Sequence, residues 1–263
     1  MNGRTPMIKR PVNRFVRQDP PLPSGASVSI DTRLHADSYS KSRLQPQHRQ
    51  KDYLCLADLA LWLRSVAPSF EATRILDYGS GSAPYKSLFV GADYTCADFG
   101  LPLSERTLAL SDNGMLSELA DGSFDGVVSF QVLEHVPDTD AYLAEAYRVL
   151  SPGGRILLTT HGTFPKHSVP QDLWRWTEDG LVRAVSALGF EVERSVRLTN
   201  DFRALTQLAL LRAPDSRFFV PIVSGINLLV SRVTRNAAVC TVPEPDGGLA
   251  VIVAVIASKK MRT

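Results

Sequence analysis

The order of apolar and polar residues along the chain changes period several times, and each change marks an element. In "KDYLCLADLALWLRSV" (51–66), Leu56, Leu59, Leu63 and Val66 recur at three- and four-residue intervals with Trp62 beside them, which predicts an amphipathic helix. Short apolar runs then follow at "RILDY" (74–78), "DYTCAD" (93–98), "TLAL" (107–110) and "FDGVVSFQ" (124–131), each predicting a strand. The helical period returns over 138–150, with Tyr142, Ala146 and Val149 on one side, and "SPGG" turns the chain into the strand "RILLTT" (155–160). Another helix over 178–190 is ended by Gly189, and "EVERSVRL" (191–198) alternates like a strand. "LAVIVAVIAS" (249–258) is apolar without a break, as expected of a strand buried on both faces. Seven strands alternating with helices imply βαβ units, and hence an α/β fold on a mainly parallel sheet with helices on both faces.

Residues 199–248 do not fit a minimal sheet. "DFRALTQLALL" and "FFVPIVSGINLLVSRV" predict two apolar helices inserted before the last strand. The second holds Pro221, Gly225, Asn227 and Arg232, and is too short and too interrupted to span a bilayer. It suits a cap over a site, a homodimer contact, a peripheral element on a membrane surface, or burial against the core.

Length changes little in this picture: 263 residues fit one domain over 30–263 preceded by an extension. Charge adds more. The formal net charge is +2, but residues 1–50 hold nine Lys/Arg against three acids, so the remainder is slightly negative. Residues 1–29, with "DPPLPSGAS" and no apolar periodicity, read as a disordered basic tail. The tail lacks interleaved aromatics, so a solvated tail is expected rather than a nucleic-acid contact. It also lacks the apolar run of a signal peptide. Cys55, Cys96 and Cys240 lie far apart without metal-type spacing, which predicts reduced thiols in a cytoplasmic protein and no metal site.

The stretch richest in chemistry is "RILDYGSGSAPYKSLF" (74–89). Gly79 and Gly81 let the backbone approach a ligand at the carboxyl edge of the first strand, and a helix starting near Pro84 would present free N–H groups there. Such a turn can serve a nicotinamide dinucleotide, a flavin, a phosphate or S-adenosylmethionine. A nicotinamide fingerprint wants a third glycine where Pro84 stands, and a phosphate site wants a Lys-Ser/Thr pair that is missing. Asp77 is a poor neighbour for pyrophosphate and a good one for a ligand carrying an ammonium and a sulfonium.

With these residues the chain resembles the class I S-adenosylmethionine-dependent methyltransferases that carry a D-x-G-x-G turn, over roughly residues 50–198 and the last strand. The resemblance implies a Rossmann-like, seven-stranded fold, S-adenosyl-L-methionine as cofactor, and roles for further residues. Asp98, at the end of "YTCADFG", would take the ribose hydroxyls. Asp112 and Asn113, with Met115, would contact adenine. The tip "SFQVLEH" would touch the methionine part, with a side-chain contact from Gln131, while Glu134 would cap or brace the loop. "EAYRVLSPGGRILLTTHG" matches the family's helix, turn and fifth strand and carries no chemistry. "QDLWRWTEDGL" resembles a segment of some bacterial methyltransferases, which sets Asp172, Trp174, Arg175 and Trp176 near the acceptor, with loop packing as their other role.

His135 follows the fourth strand and His161 the fifth, so both approach the crevice where the strand order reverses; His167 lies near them. His135 is the first candidate for a base or acceptor-positioning group and His161 the second. The leading expectation is methyl transfer, most simply O-methylation, to a small-molecule, lipid or saccharide acceptor. The alternatives are N- or C-methylation of a macromolecule and a non-catalytic methyltransferase-like scaffold. A nicotinamide enzyme is a distant fourth.

Overall fold

The computed structural model describes residues 39–99, 107–110, 116–167, 171–234, 239–240 and 248–261. The expected basic tail, 1–29, lies outside them. All seven expected strands are present: β1 (Arg74–Tyr78), β2 (Asp93–Asp98), β3 (Thr107–Ala109), β4 (Phe124–Phe130), β5 (Leu150–His161), β6 (Phe190–Asn200) and, last in the chain, β8 (Ala250–Lys259). A two-residue strand, β7 (Val239–Cys240), adds an edge that no pattern in the sequence announces.

The order across the sheet is β3-β2-β1-β4-β5-β8-β6-β7. Strands β1 to β5 pair in parallel, whereas β8 lies antiparallel to both β5 and β6. The order reverses at β1, between β2 and β4, which puts the ligand crevice at the carboxyl ends of β1 and β4. The apolar run in β8 is explained by its place: its first eight residues are buried between two neighbouring strands and two helical layers. The "SPGG" turn is a bulge inside β5, where Leu150 pairs with Phe124 and the next pair is Arg155 with Gly126.

One layer holds α1 (Tyr53–Val66), α4 (Asp201–Leu211) and α5 (Val220–Val233); the other holds α2 (Thr139–Val149) and α3 (Glu178–Ala187). Local chemistry starts two of these helices. The Asp138 carboxylate accepts from Ala141 N–H at 2.9 Å, and the Thr177 hydroxyl accepts from Gly180 N–H at 3.1 Å. Gly189, at φ 96°, stops α3.

One expectation fails. No α-helix follows the glycine turn; the 14 residues between β1 and β2 hold only a 3₁₀ turn, Lys86–Leu88. Pro84 and the left-handed Ala83 (φ 49°) break the helical path, and Tyr85 and Phe89 are instead plugged into the core beneath α1. The free N–H groups expected of a helix end at Pro84 are therefore not supplied there.

Candidate functional site

A cavity of about 920 Å³ opens over the carboxyl ends of β1 and β4. Its floor is the sheet edge, with Asp77, Gly79, Gly81, Asp98 and Gln131. One wall carries His135, His161, Phe164 and His167. The roof comes from segment 39–59 and from the α4–α5 connection, with Arg43, Lys51, Arg217 and Phe219.

The floor is set by backbone geometry. Gly79 has φ 81°, and a Cβ there would lie 2.6 Å from the Val132 methyls, so only glycine fits. The N–H groups of Gly79 and Ser80 both donate to the Ala97 carbonyl, at 2.8 and 3.1 Å, which ties the turn to β2. The Asp98 carboxylate then accepts from Gly81 N–H and, at 2.6 Å, from Phe99 N–H, one bond on each oxygen. Each oxygen keeps a second lone pair, enough to accept from two vicinal hydroxyls.

Asp77 lies beneath the turn, almost fully buried, and accepts from the Tyr94 phenol at 2.7 Å. Burial pushes its carboxyl up to about 7; the Tyr94 bond pulls it down, nearby Asp98 raises it further, and Lys86 lowers it. A cation brought beside it would draw it back towards the carboxylate form. Gln131 closes the floor with a strained backbone, φ 58° on a non-glycine residue. Its Nε2 donates to Thr159 Oγ1 at 3.0 Å, while its Oε1 is buried without a hydrogen-bond partner. An acceptor left without a donor at a cavity wall needs an explanation, and a ligand N–H supplies one.

The histidine wall is organised around a carboxyl that the sequence reading left as a brace, Glu134. It is fully buried, and burial raises its pKa. Thr160 Oγ1 donates to its Oε2 at 2.8 Å. Its Oε1 lies 3.0 Å from His161 Nδ1, off hydrogen-bond alignment, and 3.9 Å from His135 Nε2. Burial, then the charges of Arg175, His167, His135 and Arg43, push the His161 imidazole down to about 3, so it is neutral. It also stacks on Phe164, with ring centroids 4.1 Å apart.

His135 differs. Its Nδ1 meets the Gln171 carbonyl, which only accepts, so Nδ1 carries the hydrogen and Nε2 the lone pair. Among the histidines, His135 has the geometry of an oriented base.

The residues expected near the acceptor take another place. The Arg175 guanidinium forms a two-pronged pair with Asp172, at 2.5 and 2.6 Å, and donates to the carbonyls of Phe164 and Pro165. Asp172 also accepts from His167 N–H, and Trp174 Nε1 donates to the Val136 carbonyl at 2.7 Å. Trp176 packs into the core beside α3. None of Asp172, Trp174, Arg175 or Trp176 lines the cavity; they pin the loop that presents Phe164 and His167. Asp112, Asn113 and Met115 lie outside the described residues.

The sequence reading, which offered 199–248 as a cap, missed the part of the roof that segment 39–59 supplies. Ser40 hydrogen-bonds the Ser82 carbonyl at 3.2 Å, which lays a helical turn over the glycine loop. One turn on, Arg43 faces the cavity, donates to the Tyr39 phenol and forms no ion pair among the described residues. The i, i+4 spacing of Tyr39 and Arg43 was the available signal.

The comparisons agree with this geometry. Residues 76–158 match a methyltransferase domain. Over those residues the chain is similar to that family. The chain is 34% identical over 119 residues to a demethylmenaquinone methyltransferase of Streptomyces griseus, covering 41% of this chain and 52% of that one. It is 28% identical over 123 residues to a ubiquinone biosynthesis O-methyltransferase of Bordetella avium, covering 40% and 49%. The chain thus spans about half the length of these curated relatives. A SAM-dependent methyltransferase from Archaeoglobus fulgidus superposes with a TM-score of 0.52 at 17% identity, covering 85% of this chain and 99% of that one, which speaks to the fold.

Proposed function

We propose that the chain is an S-adenosylmethionine-dependent methyltransferase acting on a hydroxyl of a small, largely apolar acceptor. One observation carries this: the glycine turn and His135 line the same cavity. The donor set on the floor fits the cofactor. Asp98 would accept from the ribose hydroxyls, Gln131 Oε1 from an N–H of the amino-acid end, and Arg43 would face its carboxylate, with Asp77 adding negative charge below. When bound, the cofactor supplies an electrophilic methyl on a sulfonium with its leaving group in place.

The protein's own work is alignment and proton handling. His135 Nε2 takes the proton of the acceptor hydroxyl as the oxygen attacks. The Gln171 carbonyl fixes the ring, and Glu134 balances the imidazolium at 3.9 Å. Phe130, Phe164, Phe219 and Val223 give the cavity apolar walls that exclude water from the transfer. The names of the quinone-pathway relatives support a small-molecule acceptor, and a His135 ring held through Nδ1 at the cavity wall supports oxygen as its reacting atom.

The test is calorimetric titration with S-adenosylhomocysteine, with NADH as control, followed by a screen of ring-hydroxylated aromatics read by S-adenosylhomocysteine release. Binding that is lost in Asp77→Ala and Asp98→Ala, with turnover on a hydroxylated ring, is expected. A folded protein that binds NADH and not S-adenosylhomocysteine would overturn the proposal. Binding without turnover on hydroxyl or amine acceptors would favour the scaffold.

A further inference from the structure

We propose that α5 docks the protein on an anionic lipid surface, so that an amphiphilic acceptor enters the cavity from that surface. The docking rests on the helix alone; the entry route rests on the methyltransferase reading.

Helix α5 buries Val223, Asn227 and Val230. Its solvent side should then be polar, and it is not. Ile222, Ile226, Leu229 and Val233 recur at intervals of four, three and four, which makes one stripe along the helix. Ile222 is 54%, Leu229 62% and Val233 74% exposed, and Phe218, just ahead of the helix, is 72% exposed. A contiguous apolar stripe of this length on a solvent face marks a docking surface. No described helix is long and apolar enough to cross a membrane, and a helix of 14 residues extends roughly 21 Å, a length that lies along an interface.

Charge selects the occupant. Residues 216–234 contain no acid and two arginines, Arg217 and Arg232, exposed at opposite ends of the stripe. The Arg217 guanidinium lies 5.2 Å over the Phe218 ring, an apolar body beneath a cationic tip. Nearby Asp215 is taken by Lys51 at 2.5 Å. A second copy paired through this stripe, in either direction, would set arginine against arginine with no acid between them. Anionic headgroups satisfy both ends while the stripe enters the acyl boundary. Phe219, Val220 and Val223 of the same segment line the cavity, so a surface held by the stripe lies beside the cavity's rim.

The experiment is flotation of the full chain with phosphatidylcholine vesicles containing roughly one-third phosphatidylglycerol, and with phosphatidylcholine alone, at low and high salt. The expected result is salt-sensitive flotation with the anionic vesicles, reduced about tenfold or more in Ile222→Ser/Leu229→Ser and reduced in Arg232→Glu. Circular dichroism shows that each variant is folded, and S-adenosylhomocysteine titration of the same preparations reads the cofactor assignment separately. Equal flotation with neutral vesicles, or flotation that survives Ile222→Ser/Leu229→Ser, overturns the proposal. So does light scattering that finds a dimer which this double variant dissolves, with no vesicle binding: the stripe then joins two copies.

Discussion

The two ends of the cavity are built differently. The cofactor end is made of backbone: a glycine at φ 81°, two N–H groups on the Ala97 carbonyl, and a carboxylate whose contacts lie within about one strand's reach. The roof is held by side chains that reach across the chain. Gln207 takes Cys55 N–H at 3.0 Å and donates to the Lys51 carbonyl at 2.6 Å, and Asn227 donates to the carbonyls of His48 and Gln50. Below them Arg203 and Asp58 form a buried ion pair that Thr199 joins at 2.8 Å. Short-range contacts are set by local sequence, whereas long-range ones require the whole fold.

The sharpest way to break this comparison is Arg203→Ala. It leaves Asp58 buried without its cation, which costs about 3–5 kcal/mol. Chemical unfolding should show that loss, while S-adenosylhomocysteine still binds at low temperature because the floor needs none of these contacts. Equal stability would mean that the ion pair does not anchor α4.

Next in size is His135→Gln. Removing the base should lower turnover about 10²–10³-fold, some 3–4 kcal/mol, with S-adenosylhomocysteine affinity unchanged. A wild-type rate would move the proton to another group.

Asp98 tests the floor. Asp98→Asn keeps an oxygen for Gly81 N–H and gives up one acceptor, so affinity should fall about tenfold; Asp98→Ala loses the loop pin as well and should fall further. Calorimetry that finds the two variants equal would remove the loop contact from the account.

The smallest effect is the pH response of Asp77. Its folded pKa, pushed up to about 7 by burial, exceeds the unfolded value near 3.9, so the folded state holds the proton more tightly. Its contribution to the unliganded fold is complete below about pH 4 and is lost as pH rises through 7. A bound ammonium favours the carboxylate, so the melting-temperature rise given by S-adenosylhomocysteine should be larger at pH 8 than at pH 6, by a few degrees at most. Asp77→Asn should remove that difference.

The same contrast explains what the sequence made legible. Strands betray themselves by neighbours in the chain, so β1 to β6 and β8 fall within a few residues of their patterns. Asp77, Gly79, Gly81 and Asp98, singled out by their spacing, meet on the cavity floor because β1 and β2 lie side by side. The helix expected after Pro84 is not there, because Tyr85 and Phe89 are drawn into a core that local propensity does not see. Glu134 read as a brace because its partners, Thr160 and His161, come from another strand. Asp172 and Arg175 fit an acceptor role or loop packing from sequence alone, and only their mutual pairing across the loop tells the two apart. Lys51 with Asp215, and Asp58 with Arg203, are separated by well over a hundred positions, and no periodicity connects them.

The position of β8 has a consequence for the order of assembly. Drawn from 250–259, it is the last strand of the described chain to be synthesised, yet it sits between β5 and β6. Strands β1 to β5 can close their ladder without it; β6 cannot join the sheet until it arrives. Pulsed hydrogen exchange during refolding should therefore protect amides of β1 and β4 before those of β6, and simultaneous protection would refute the sequence of events. A nascent chain would hold a formed cavity floor while its roof, and the apolar stripe of α5, still waited for their support.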